Sequence, residues 1–198
     1  MPDIGPAQLA PKSLAKLAKI KAAKLPAVRG TPRLGVPFTG ATKFVAIGLN
    51  YSDHAAETGN PIPKEPIVFH KTLSCMQGPD DDVMLPKGSK KSDWEVELGI
   101  VIGSTARYVS KKDALKHVAG WCVALDMTVR GPEDRSFRKS ADGYSVLGPW
   151  IVTADELGDH TNLAMELTVN GETRQRANTR DLLYSVPRLI ALASSVYA

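Results

Sequence analysis

The run Asp93-Trp94-Glu95-Val96-Glu97-Leu98-Gly99-Ile100-Val101-Ile102 constrains this chain more than any other ten residues. Its second half is apolar and β-branched, the pattern of a buried strand, and such a strand is expected to be central in its sheet. A strand sends residues i and i+2 to one face, so Glu95 and Glu97 stand side by side, roughly 6–7 Å apart along the backbone. Two adjacent carboxylates that lose hydration repel each other. Something positive should lie between them, and a hard divalent cation is the simplest such partner.

Charge is distributed unevenly around this run. Residues 4–52 carry eight Lys/Arg and no acid, leaving 17 basic against 21 acidic residues in the remainder, so the net charge of +4 belongs to an N-terminal arm. Within the arm, Lys12, Lys16, Lys19, Lys21 and Lys24 surround Leu14, Leu17, Ile20 and Leu25, which predicts a short amphipathic helix beginning after Ser13. With no aromatic residue before Phe38, a nucleic-acid-binding arm is disfavoured, and a solvated helix packed on the body or on a second subunit is expected. No apolar run reaches membrane-spanning length, and the N-terminus lacks the apolar core of a secretory signal. Cys75 and Cys122 form no C-x-x-C spacing and read as reduced structural thiols. A cytoplasmic protein without a membrane partner is the expectation.

The arm and a Pro/Gly-rich linker from Pro26 to Gly40 give way to a body of short strands. Phe44–Gly48, Ile67–Phe69, Glu95–Ile102, Trp121–Val129 and Trp150–Val152 read as strands. Leu163–Thr168 and Glu172–Arg176 flank Asn170-Gly171, the strongest hairpin signal in the chain. Ser110 and Asp113 resemble a capping box before a short helix over Ala114–Val118, and Val186–Val196 reads as a helix with Pro187 in its first turn. Many short strands with few helices predict a mostly-β or α+β body.

Three sets of residues carry candidate chemistry. Glu95 and Glu97 alone fit the solvent face of an edge strand, but Asp126 lies inside Val123–Val129, where an unpaired acid would cost several kcal/mol. Three acids on buried-type strands, without a Cys/His cluster, fit an all-oxygen Mg²⁺ or Mn²⁺ site rather than structural zinc. His54 and Glu57 share one face if Asp53 caps a helix, and a carboxylate there could orient the imidazole as a general base; a solvated surface turn is the other reading. Arg130–Arg135 interleaves acids and bases as a loop, either a self-neutralising surface segment or a carboxylate-binding rim.

Taken together, IGLNYSDHAAE (47–57), DWEVELGIVIG (93–103), VALDMTVRG (123–131), RKSADGYSVLGPWIVTADE (138–156) and LTVNGETRQRANTRDLLYSV (167–186) resemble the fumarylacetoacetate hydrolase family, collinearly over about residues 43–195. The resemblance implies a mixed β-roll, sandwich-like, with short peripheral helices, and a homodimer. It divides the chain into a basic arm and linker at 1–42 and a catalytic domain at 43–198. It implies that Glu95, Glu97 and Asp126 ligate Mg²⁺ or Mn²⁺, and that His54 and Glu57 activate water. Lys139 is implied as a catalytic residue, with Arg130, Glu133 and Tyr51 contacting substrate. Glu133 stands where many members place Gln, and His70 where an apolar residue is common. The family's usual closing strand and TGTPxGV-like loop find no counterpart in these residues, so a truncated or unusually short member is expected. The implied activity is cleavage of a C–C bond in an acylpyruvate or related 1,3-dioxo or 2-oxo acid. The alternatives are a 2-hydroxyhepta-2,4-diene-1,7-dioate isomerase or oxo-acid decarboxylase of aromatic catabolism, or an inactive fragment of the same fold.

Overall fold

The computed structural model describes residues 3–52, 59 and 61–198. Its centre is a four-stranded sheet in the order β3-β8-β6-β5, formed by β3 (Met76–Gln77), β5 (Val96–Ile102), β6 (Val118–Asp126) and β8 (Ser145–Thr153). Among the described residues only the β3–β8 pairing is parallel. Three antiparallel pairs surround it. They are β1 (Val45–Gly48) with β2 (Ile67–His70), β4 (Ser92–Asp93) with β7 (Thr128–Val129), and β9 (Ala164–Val169) with β10 (Glu172–Asn178). The helices are short and peripheral: α1 (Pro6–Leu9), α2 (Pro11–Leu17), α3 (Arg135–Lys139), α4 (Ala154–Leu157) and α5 (Val186–Ser194). The mostly-β, α+β expectation therefore holds.

One expectation needs correction. The strand beginning near Glu95 lies at an edge of its sheet, not at the centre. Its apolar pattern arises because both faces are covered. Leu98 and Ile100 pack toward α5 with Trp121, Val186 and Ile190, while Val101 packs on the opposite side with Leu9, Ala119, Cys122, Ala124 and Leu147. Covered faces produce a continuous hydrophobic run whatever the strand's place in the ladder.

Leu9 comes from the N-terminal arm. It is buried, whereas α2 contributes no buried residue. The arm thus docks chiefly through Leu9 of α1, with Leu14 of the lysine-flanked helix only partly buried against the same cluster; that helix starts at Pro11 instead of after Ser13. Pro11 fits the first turn because its missing N–H has no intrahelical partner there. Gly103 admits the contact: a Cβ at that position would lie 2.4 Å from the Leu9 carbonyl oxygen.

Local chemistry explains the remaining elements. Asn170 and Gly171 both have positive φ (53° and 83°), as a two-residue I′ turn demands, and so close the β9–β10 hairpin where the sequence placed it. The loop-like stretch after Arg130 turns into α3, because the Asp134 side chain accepts the Ser136 N–H at 2.8 Å and caps the helix. Lys139 sits at its C-terminal end and is buried.

Candidate active site

Register brings the three acids together. Glu97 pairs with Ala124 and Val96 with Leu125, and the Asp126 N–H donates to the Glu95 carbonyl at 2.8 Å. Glu95 therefore stands opposite Asp126, with Glu97 one diagonal step away. They share the face that carries Val101, Cys122 and Ala124 further along. One end of this sheet face is an apolar core sealed by Leu9, and the other is acidic.

A lysine lies between Glu95 and Asp126, and a second lysine flanks Asp126. Lys139 Nζ lies 2.9 Å from Glu95 Oε2 and 2.7 Å from Asp126 Oδ2. Lys71 Nζ pairs with Asp126 Oδ1 and donates to the Tyr144 carbonyl at 3.1 Å. Both lysines are only 5% exposed, which ordinary lysines reach only when paired. Arg130 completes the network: Nε donates to Asp93 Oδ2 and Nη2 contacts Glu95 Oε1, each at 2.9 Å. Glu97 makes no ion pair among the described residues. Burial, and then the neighbouring charges of Glu95 and Asp126, push its pKa up to about 8, with Lys139 and Lys71 opposing the shift.

Tyr51, Glu95, Glu97 and Arg130 line one cleft of about 270 Å³ together with Asp93, Trp94, Arg174, Gln175, Arg176 and Ala177. Lys139 and Asp126 lie behind it, joined through Glu95. Glu133 is exposed and does not line this cleft; its carboxylate folds over Gly131, into the space a side chain there would take. His54 and Glu57 lie outside the described residues. His70 packs edge-on against Tyr197.

Several site residues escaped the sequence reading. Lys71 follows directly after β2, and a lone basic residue behind a buried-type strand was the available signal. Arg174, Gln175 and Arg176 sit on the hairpin, and only a register showing the hairpin crossing the start of β5 could have found them.

The donor set suits a hard cation, since three carboxylates offer oxygen alone. Among the described residues no three His, Cys, Asp or Glu side chains stand converged as a metal centre. A carboxylate has about four lone-pair positions, however, so the lysine contacts leave acceptor capacity on Glu95 and Asp126, and Glu97 has no ion-pair partner among the described residues. The residues fit the group in kind.

Comparison with known proteins shows the family to which the chain is similar. Residues 43–198 match the model of the fumarylacetoacetate (FAA) hydrolase C-terminal domain. The chain is 46% identical over 192 residues to 2,4-didehydro-3-deoxy-L-rhamnonate hydrolase from Sphingomonas sp. (strain SKA58), spanning 94% of this chain and 67% of that protein. Among solved structures, a protein from Mycobacterium smegmatis described as HpcE superposes with a TM-score of 0.83 at 36% identity, covering 96% of this chain and 70% of that one. Maleylpyruvate hydrolase from Sphingobium sp. SYK-6, solved with manganese(II) and pyruvate, superposes with a TM-score of 0.69 at 41% identity. That match covers 79% of this chain and 55% of that one.

Proposed function

The chain belongs to the fumarylacetoacetate hydrolase family, and from that premise we propose that it is a divalent-metal-dependent hydrolase cleaving a C–C bond in a 2,4-dioxo acid or related acylpyruvate. The observation that carries this reading is Lys139, held between Glu95 and Asp126 behind a cleft that Arg130 and Tyr51 line. Support also comes from a relative whose name describes a deoxy sugar acid oxidised at carbons 2 and 4, and from a neighbour solved with manganese(II) and pyruvate.

In this reading Glu95, Glu97 and Asp126 hold Mg²⁺ or Mn²⁺. When bound, that ion supplies Lewis-acid polarisation of the substrate's carboxylate and 2-oxo oxygens. Arg130 takes the substrate carboxylate through its planar fork, which fixes the acid end of the molecule. His54, oriented by Glu57, takes a proton from water on a ring nitrogen as the water oxygen attacks the distal carbonyl. The bond between carbons 3 and 4 then breaks, and its electron pair leaves as the enolate of the 2-oxo acid fragment. Lys139 Nζ donates to the developing negative oxygen, and its two carboxylate contacts hold the ammonium in place before charge develops. Protonation of the enolate carbon releases the 2-oxo acid.

The proposed assembly is a homodimer. Val123 and Trp150 lie on the two central strands, yet are 56% and 64% exposed. Such apolar positions in mid-sheet favour a covering partner. Among the described residues no helix is long and apolar enough to cross a membrane.

Incubating the purified chain with acylpyruvates and Mg²⁺ or Mn²⁺, and assaying pyruvate release, tests the activity. Release that stops with a chelator and in Glu95→Gln is expected. Release undiminished in both overturns the metal role, and double-bond migration without pyruvate release moves the chain to the isomerase reading.

A further inference from the structure

We propose that Gln175 is a positioning residue that sets the spacing and direction of the Glu95 and Glu97 carboxylates. The proposal rests on the metal-site reading given above. Because β5 is an edge strand, the N–H and C=O of its first residue, Val96, point away from β6 and lack a ladder partner. Both groups are nonetheless satisfied by a single side chain. The Val96 N–H donates to Gln175 Oε1 at 2.8 Å, and Gln175 Nε2 donates to the Val96 carbonyl at 3.2 Å.

A primary amide presents one donor and one acceptor side by side, as a peptide unit does, so Gln175 acts as a one-residue strand. What it ties down matters more. The Val96 N–H belongs to the peptide linking Glu95 to Val96, and the Val96 carbonyl belongs to the peptide linking Val96 to Glu97. These two peptides are the whole covalent path between the two carboxylate-bearing residues. The third acid is tied to the same frame, because the Asp126 N–H donates to the Glu95 carbonyl.

The hairpin is shaped for this contact. The β9–β10 register is interrupted between Thr173 and Gln175, leaving Arg174 as the extra residue. Such a bulge bends its strand and re-aims the following side chain. Gln175 consequently reaches β5, while Arg174 and Arg176 face the same cleft.

The test compares wild type with Gln175→Ala and Gln175→Glu, using Mn²⁺ alone as the probe, exchange of the Val96 amide, and melting temperature. In Gln175→Ala, exchange at Val96 should accelerate at least about 10-fold, and Mn²⁺ affinity should fall about 10-fold or more, the usual cost of losing a group that orients metal ligands. Gln175→Glu keeps an acceptor for the Val96 N–H and should restore protection there, with Mn²⁺ affinity recovering toward wild type. Faster exchange with Mn²⁺ affinity within about twofold of wild type would reduce Gln175 to edge protection and overturn the proposal. Should the alanine variant not fold, Gln175→Asn, one methylene too short to make both bonds, replaces it with the same criteria. Wild-type protein that binds no Mn²⁺ refutes the metal-site reading itself, and the proposal with it.

Discussion

Lys139 Nζ lies 2.7 Å from Asp126 Oδ2, and the same ammonium reaches Glu95 Oε2 at 2.9 Å. The lysine side chain is 7% exposed and the two acids 14% and 18%, so these charges interact with little screening. Removing the ammonium leaves two buried acids with one fewer counter-charge. Lys139→Met should lower folding stability by about 2–4 kcal/mol in urea titrations, at the lower end for a broken buried pair because Lys71 and Arg130 remain. It should also lower kcat by about 10²–10³ with a smaller change in KM, as expected for a donor used mainly when charge develops.

Lys71 is a second, independent anchor for Asp126, with a side chain 1% exposed. Lys71→Met should cost about 3 kcal/mol, because Asp126 and the Tyr144 carbonyl both lose a donor in a dry environment. Lys116→Met, which removes an exposed ion pair with Asp113, should leave the urea midpoint unchanged. Equal effects at the two positions would show that Asp126 is far better hydrated than its burial implies.

Glu97 gives the metal-free protein a characteristic pH response. Its carboxyl is raised from 4.5 to about 8, chiefly by burial and then by Glu95 and Asp126. The folded state therefore holds this proton more tightly than the unfolded chain does. Stability falls as pH rises from the ordinary glutamate range, and the loss is complete only above about 8. Melting temperature measured between pH 5 and 9 in chelator should decline, and Glu97→Gln should flatten that decline.

The arm is held by Leu9 packed against Val101, Ala119, Cys122, Ala124 and Leu147. Leu9→Ala should destabilise the protein by about 2–3 kcal/mol through lost burial and a residual cavity. Replacing Lys12 and Lys16 with Gln should leave the melting temperature unchanged, because α2 contributes no buried residue. Large effects at those lysines would mean that charge, not Leu9, docks the arm.

The acids of the site were legible because strands advertise themselves. Alternation and β-branching located β5 and β6, and an acid inside an apolar strand marked Asp126. Asn170-Gly171 fixed the hairpin, since its backbone suits few residues besides Asn and Gly. The edge position of β5 was not legible, because two covered faces write the same apolar run as a central strand. Lys71 and Gln175 were hidden for a different reason. Each acts across 55 or 79 residues of sequence, on Asp126 and Val96 respectively, and neither leaves a local pattern. The helix bearing Lys139 gives no sequence signal beyond the loop-like Arg130–Arg135 stretch that leads into it, because its five residues are too few to show a period.

The central claim is that Glu95, Glu97 and Asp126 together hold one divalent cation. Titrating Mn²⁺ into wild type and Asp126→Asn, followed by electron paramagnetic resonance of the free ion, tests it most directly. One site per chain in wild type, weakened about 100-fold or more in Asp126→Asn, is the expected result for loss of a coordinating carboxylate. Equal Mn²⁺ binding by the two proteins would contradict it.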